Sequence, residues 1–146
     1  MSTAEQRIFP ARRDRLQQAL DFVEAYCEHQ ALAGGTTMRM VLIVEELFSN
    51  TLKHGHHGDA DVPVRITLQL DASQLALCYE DSAPPFDPLR YMRESPPALD
   101  SALEQRLIGK MGLPLVAHMA AQMGATLEYA HIDGFNRLRL VLRRDG

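Results

Sequence analysis

One stretch, Val41-Leu-Ile-Val-Glu-Glu-Leu-Phe-Ser-Asn-Thr-Leu-Lys-His-Gly55, constrains this chain more than any other. At about 100° per residue, the angular step of an α-helix, Met40, Val44, Leu47, Phe48 and Thr51 fall into one apolar stripe. A stripe of that width must be covered by a second layer, so the helix belongs inside a packed domain. Glu46, Asn50 and His54 are spaced four apart and stack along the edge of that stripe. Ser49 and Lys53 fall on the far side, where solvent is expected. A carboxylate, a carboxamide and an imidazole aligned beside a core are unusual, because such groups are mostly sent to open water. The edge of a core is also where ligand pockets open. The helix is therefore read as lining a site.

Length and composition limit what surrounds it. At 146 residues and 46% apolar content, residues 1–146 fit a single domain with its own core. A net charge of −4 and a pI near 5.8 speak against direct nucleic-acid binding, which needs a basic field. The two cysteines, Cys27 and Cys78, stand alone without metal spacing and read as free thiols in a reducing compartment. The first residues lack a signal peptide's apolar core, and no apolar run approaches the ~20 residues of a membrane helix. The expected location is cytoplasmic, with no membrane contact.

The remaining elements follow from period and punctuation. Arg7 to Pro10 suggests a short edge strand ended by its proline. From Asp14 to Leu32, the residues Leu16, Ala19, Leu20, Val23, Tyr26 and Cys27 follow helical spacing, with Gly34-Gly35 as the stop and Thr36 or Thr37 as the next cap. The His54–Asp61 loop crowds imidazoles and carboxylates but lacks the geometry of zinc sites built on helices, two ligands four apart with a third elsewhere. Val64, Ile66, Leu68 and Leu70 alternate with polar residues, and Leu75 to Glu80 returns after a turn, giving a hairpin. Five of the eight prolines lie between Pro84 and Pro97, which makes 84–108 a long loop of the kind that serves as a lid. Gly109 to Leu113 opens a helix running to Gly124, with Pro114 in its first turn. Glycines at a helix start let backbone amides approach an anion. A last hairpin turns at Asp133-Gly134, and its arginines are read as a solvated strand face. Antiparallel hairpins with helices gathered on one side predict an α+β fold, a two-layer α/β sandwich with a mainly antiparallel mixed sheet.

Three constellations then fall in order. Glu46-Leu-Phe-Ser-Asn50, continuing to His54-Gly55, resembles the N box of the GHKL (Bergerat-fold) ATPases. Asp81-Ser-Ala-Pro-Pro-Phe86 resembles their first glycine box, and Gly109-Lys-Met-Gly112-Leu113 their second. The order, the spacing and the modest lid resemble above all the anti-sigma-factor serine/threonine protein kinases, over nearly the whole chain. The resemblance implies an ATP-dependent kinase that phosphorylates a STAS-domain anti-anti-sigma factor and otherwise sequesters a sigma factor, as a homodimer. It implies Glu46 as general base, Asn50 as the Mg²⁺ ligand and Asp81 as acceptor for the adenine amino group. Ala83 and Phe86 would stand beside the base, while Gly109, Lys110, Gly112, Leu113 and His54 would attend the ATP phosphates. Two positions depart from the family pattern: Ala83 stands where glycine is expected, and Asn136 where threonine is. They leave open an alternative, a catalytically weak or inactive nucleotide-binding module acting by contact alone. The catalytic half of a histidine kinase is a third possibility, disfavoured because the chain has no phosphoacceptor helix.

Overall fold

The alternating and helical periods are realised in the computed structural model, which describes residues 3–55, 59–90 and 112–144. Strands β1 (Thr3–Ala11), β2 (Ala60–Leu70), β3 (Gln74–Asp81), β4 (Thr126–Ile132) and β5 (Phe135–Arg143) form one sheet in the order β1-β2-β3-β5-β4. Each pairing among these strands is antiparallel. Helices α1 (Leu16–His29), α2 (Gly34–Asn50) and α3 (Gly112–Met123) lie on one face, α2 between the other two. This is the predicted two-layer α+β sandwich. Within the described strands the sheet is purely antiparallel rather than mixed.

The core sits where the periods place it. Val64, Ile66, Leu68 and Leu70 of β2 face the helices and are buried, as are Leu75, Leu77 and Tyr79 of β3. Against them lie Met40, Val44, Leu47, Phe48 and Thr51, the whole predicted stripe, together with Ile43. Burying aliphatic and aromatic side chains of this size contributes roughly 1.5–3 kcal/mol each, which fixes α2 against the sheet. In α1, Ala19, Leu20, Val23, Tyr26 and Cys27 are buried as expected, and Phe22 joins them. Burial raises the Cys27 thiol to about 11, so it stays a neutral, packing thiol.

Two boundaries differ from the sequence expectation. Strand β1 is longer than Arg7–Pro10, and Pro10 does not end it. Pro10 stands opposite Pro63, and the register shifts only between Pro10 and Ala11. Neither proline has an N–H to give, so the pair is tolerated where a ladder has no mutual hydrogen bond, and β1 is an edge strand as predicted. The second difference is the α1–α2 junction. Gly34-Gly35 lie in the first turn of α2 instead of stopping α1, and neither Thr36 nor Thr37 is its N-cap. The stop is Ala31, left-handed at φ 57°, with Leu32 N–H reaching back to the Cys27 carbonyl at 3.0 Å. That is a Schellman-type end, formed here without glycine. The Asp133-Gly134 turn is as expected: both residues have positive φ, 54° and 82°, the pairing that a two-residue hairpin favours.

The sheet's other face carries the arginines, and it is more organised than a solvated strand face. Arg65, Glu80 and Arg137 are neighbours in register across β2, β3 and β5. Glu80 is 4% exposed and is paired with Arg65 at 3.5 Å and with Arg137 at 3.2 Å. Arg65 also stacks on the Phe135 ring, 4.8 Å from its centroid. The buried carboxylate has its charge compensated on both sides, which is the condition for keeping it there.

Candidate active site

The site forms where α2 ends above the C-terminal end of β3. After Asn50 the helix widens into a π-helical turn, Thr51–Gly55. Such turns are rare and recur at functional sites. Thr51 is buried, and its hydroxyl lies 2.6 Å from Tyr79 Oη, 2.8 Å from Asp81 Oδ2 and 3.1 Å from the Leu47 carbonyl. Tyr79 and Asp81 are two apart on β3 and so face the same side. Burial first, and then the Asp81 charge, hold the Tyr79 phenol well above its ordinary value, so it remains a donor. A hydroxyl has one hydrogen. With Tyr79 donating to Thr51, Thr51 is free to donate to Asp81, and a buried chain Tyr79→Thr51→Asp81 results.

Asp81 is 8% exposed and accepts from three described groups. Oδ2 takes the Thr51 hydroxyl, while Oδ1 takes the Ala83 N–H at 3.3 Å and the Asn136 amide at 3.0 Å. Each carboxylate oxygen has about two acceptor positions. Among the described residues Oδ1 is therefore full, and Oδ2 retains one place. Asn136 faces Asp81 directly across the β3–β5 ladder. Its amide nitrogen also donates to the carbonyls of Ala83 at 3.1 Å and Pro84 at 3.0 Å, and its oxygen accepts from the Phe86 N–H at 3.0 Å and from the Tyr129 hydroxyl.

These residues border a cavity of about 270 Å³. Leu47, Leu113 and Leu138 give it apolar walls, Tyr79 and Tyr129 give it aromatic ones, and Asn50, Thr51, Asp81 and Asn136 supply the polar groups. Few polar groups converging in an apolar cleft is the general form of a small-molecule site. The volume suits a flat heterocycle better than a whole nucleotide, whose sugar and phosphates would extend outside.

Of the residues singled out in the sequence, Asn50, Asp81, Ala83, Phe86 and Leu113 meet at this cavity. Glu46 is half-buried on α2, one turn before Asn50, and is not among the described residues lining the cavity. Gly112 begins α3. Gly109 and Lys110 lie outside the described residues, as do positions 91–108 of the expected lid and the side chain of His54. The expected metal-poor loop is described only in part, because 56–58 are also outside. Sequence reasoning missed Thr51, Tyr79 and Tyr129 as site residues. Tyr79 had a usable signal, its two-residue spacing from Asp81 on one strand face. Thr51 falls in the apolar stripe, so its spacing marks it only as core, and Tyr129 reaches the site through the β4–β5 pairing, which no local pattern announces.

A model of the family described as histidine kinase-like ATPase domain matches residues 9–142 of this sequence. The chain belongs to that family. Its fold is similar to a solved structure, the histidine kinase domain from Erythrobacter litoralis EL346 blue-light activated histidine kinase, at a TM-score of 0.57 and 17% sequence identity. The match covers 87% of this chain and 64% of that one, so this chain spans somewhat under two thirds of its length. No curated protein matches the chain in sequence. Among the described residues of this histidine kinase-like ATPase domain, no helix is long and apolar enough to cross a membrane. The family assignment agrees with the GHKL resemblance of the three motifs.

Proposed function

We propose that this histidine kinase-like ATPase domain is an anti-sigma-factor-type serine/threonine protein kinase. It binds ATP with Mg²⁺, phosphorylates a STAS-domain anti-anti-sigma factor, and sequesters a sigma factor by contact, working in the cytoplasm as a homodimer. The observation that carries the nucleotide part is Asp81. It is a buried carboxylate on the wall of an apolar cavity, held by three donors among the described residues, which leaves one acceptor position on Oδ2. An exocyclic amino group supplies the missing donor, and adenine carries one on a flat ring that Leu113, Leu138 and the tyrosines can sandwich.

The other roles follow from position. Asn50 lines the same cavity and offers a neutral amide oxygen, the kind of single protein ligand that Mg²⁺ accepts when phosphates and water complete its shell. Bound there, Mg²⁺ supplies charge neutralisation at the phosphates. Glu46, one turn earlier on α2, is assigned the proton of the attacking serine hydroxyl. Gly109 to Leu113 are assigned the phosphates through backbone N–H groups, with Lys110 and His54 adding positive charge. The partner assignment rests on the order and spacing of the three motifs.

The test is incubation of the purified chain with γ-labelled ATP, Mg²⁺ and the STAS proteins of the same genome. One STAS protein is expected to become labelled on serine or threonine. Ala83, which borders the cavity where glycine is expected, favours the second reading, a contact-only nucleotide module. ATP binding with no labelled STAS protein selects that reading over the kinase.

A further inference from the structure

Asn136 is saturated inside the protein. Its amide has two hydrogens facing three acceptors, Asp81 Oδ1 and the carbonyls of Ala83 and Pro84, and an oxygen facing two donors, Phe86 N–H and the Tyr129 hydroxyl. Those partners fix which way round the amide sits, since a flipped group would oppose oxygen to three oxygens. Nothing is left over for a ligand, although Asn136 borders the cavity. Tyr129 is held in turn: its hydroxyl donates to Asn136 and accepts from Phe86 N–H at 3.2 Å. Burial keeps the phenol above its ordinary range, so the donor persists at neutral pH.

We infer that Asn136, steadied by Tyr129, is the positioning residue of the base pocket: it locks the Asp81 carboxylate and folds residues 83–86 into the cavity wall. This rests on the reading of Asp81 as acceptor for the base's amino group. By filling Oδ1 together with the Ala83 N–H, Asn136 leaves Oδ2 as the place for a ligand donor, and with Thr51 on Oδ2 the carboxylate is held from both oxygens. By holding both carbonyls and the Phe86 N–H, the same side chain sets the path of the segment that follows Asp81. The clamp also bears on Ala83: the backbone there is held from its carbonyl and its N–H, and the residue is 5% exposed. The departures at positions 83 and 136 are thereby one device, a fixed wall where a glycine would leave the backbone free.

The experiment compares ATP with purine riboside triphosphate, which lacks only the 6-amino group, by calorimetry on the full chain with Mg²⁺. Wild type is expected to prefer ATP by about 10–10²-fold, the usual worth of one hydrogen bond to a charged acceptor. In Asn136→Ala that preference is expected to shrink to about twofold, because a carboxylate free to turn reads the amino group poorly. Equal weakening of both nucleotides, with the preference intact, would show a merely structural role and overturns the inference. Where Asn136→Ala does not fold, Tyr129→Phe decides, since it removes one hydroxyl and keeps the ring. A reduced preference supports the clamp and an unchanged one overturns it. Wild type binding neither triphosphate overturns the nucleotide reading itself, whereas wild type binding both equally overturns only the role given to Asp81 and its clamp.

Discussion

Replacing Glu46 by Gln is expected to lower phosphoryl transfer to a STAS serine by about 10²–10⁴-fold, the usual worth of a general base, and to leave ATP affinity nearly unchanged. The expectation comes from α2 itself. Glu46 and Asn50 stand on successive turns of one helix, about 6 Å apart along its axis, yet only Asn50 lines the cavity. The two can therefore serve different ends of the nucleotide: Asn50 the metal and phosphates, Glu46 the hydroxyl arriving from outside. Gln keeps the size and polarity of the side chain and removes only its basicity. Asn50→Ala, in contrast, should weaken binding and transfer together. The proposed sequestration of a sigma factor, which would rest on contact, should survive Glu46→Gln. The measurement is paired, nucleotide affinity beside serine phosphorylation. Transfer at the wild-type rate would remove Glu46 from the role of base.

Asp81→Asn is the second large effect. ATP affinity is expected to fall by roughly 10–10²-fold, the worth of a hydrogen bond to a charged group. The substitution is nearly isosteric, so its cost is electronic. Asp81 accepts from Thr51, from Ala83 N–H and from Asn136. An amide in its place puts an NH₂ against at least one of these donors and offers half the acceptor capacity to a base. With the NH₂ turned toward Thr51, that hydroxyl keeps the Leu47 carbonyl as its acceptor, and any buried donor left unpaired carries its own cost, about 1–3 kcal/mol. Thermal unfolding of Asp81→Asn beside its calorimetry separates the two losses. Unchanged ATP affinity in a folded Asp81→Asn would mean that the carboxylate does not read the base.

What the sequence made legible was whatever depends on period. The stripe Met40–Thr51, the alternating runs in β2 and β5 and the Asp133-Gly134 turn all appear where local spacing puts them, because burial on one face is a strong local constraint. Asn50, Asp81 and Leu113 could be placed at one cavity because each sits at the end or edge of such an element. What was not legible depends on two strands meeting. Asn136 opposite Asp81 is a fact of register, and Tyr129 reaches the same point only through β4–β5 pairing. The π-helical turn that follows Asn50 likewise has no signature in residue type. Ala31 ended α1 where two glycines looked like the stop, because backbone hydrogen bonds to Tyr26, Cys27 and Glu28 outweighed the left-handed penalty of one small side chain. Alternation along β5 places Arg137 on the outer face, and only the register with Glu80 shows it as one of two arginines on a buried carboxylate.

The most direct measurement is calorimetric titration of the wild-type chain with ATP and with GTP, each with and without Mg²⁺. An adenine pocket built on Asp81 predicts saturable ATP binding with Kd well below about 1 mM, tighter with Mg²⁺. GTP should bind at least about tenfold more weakly, because its 6-oxo group meets a carboxylate that can only accept. No binding of ATP at millimolar concentration, or equal binding of GTP, would contradict the account.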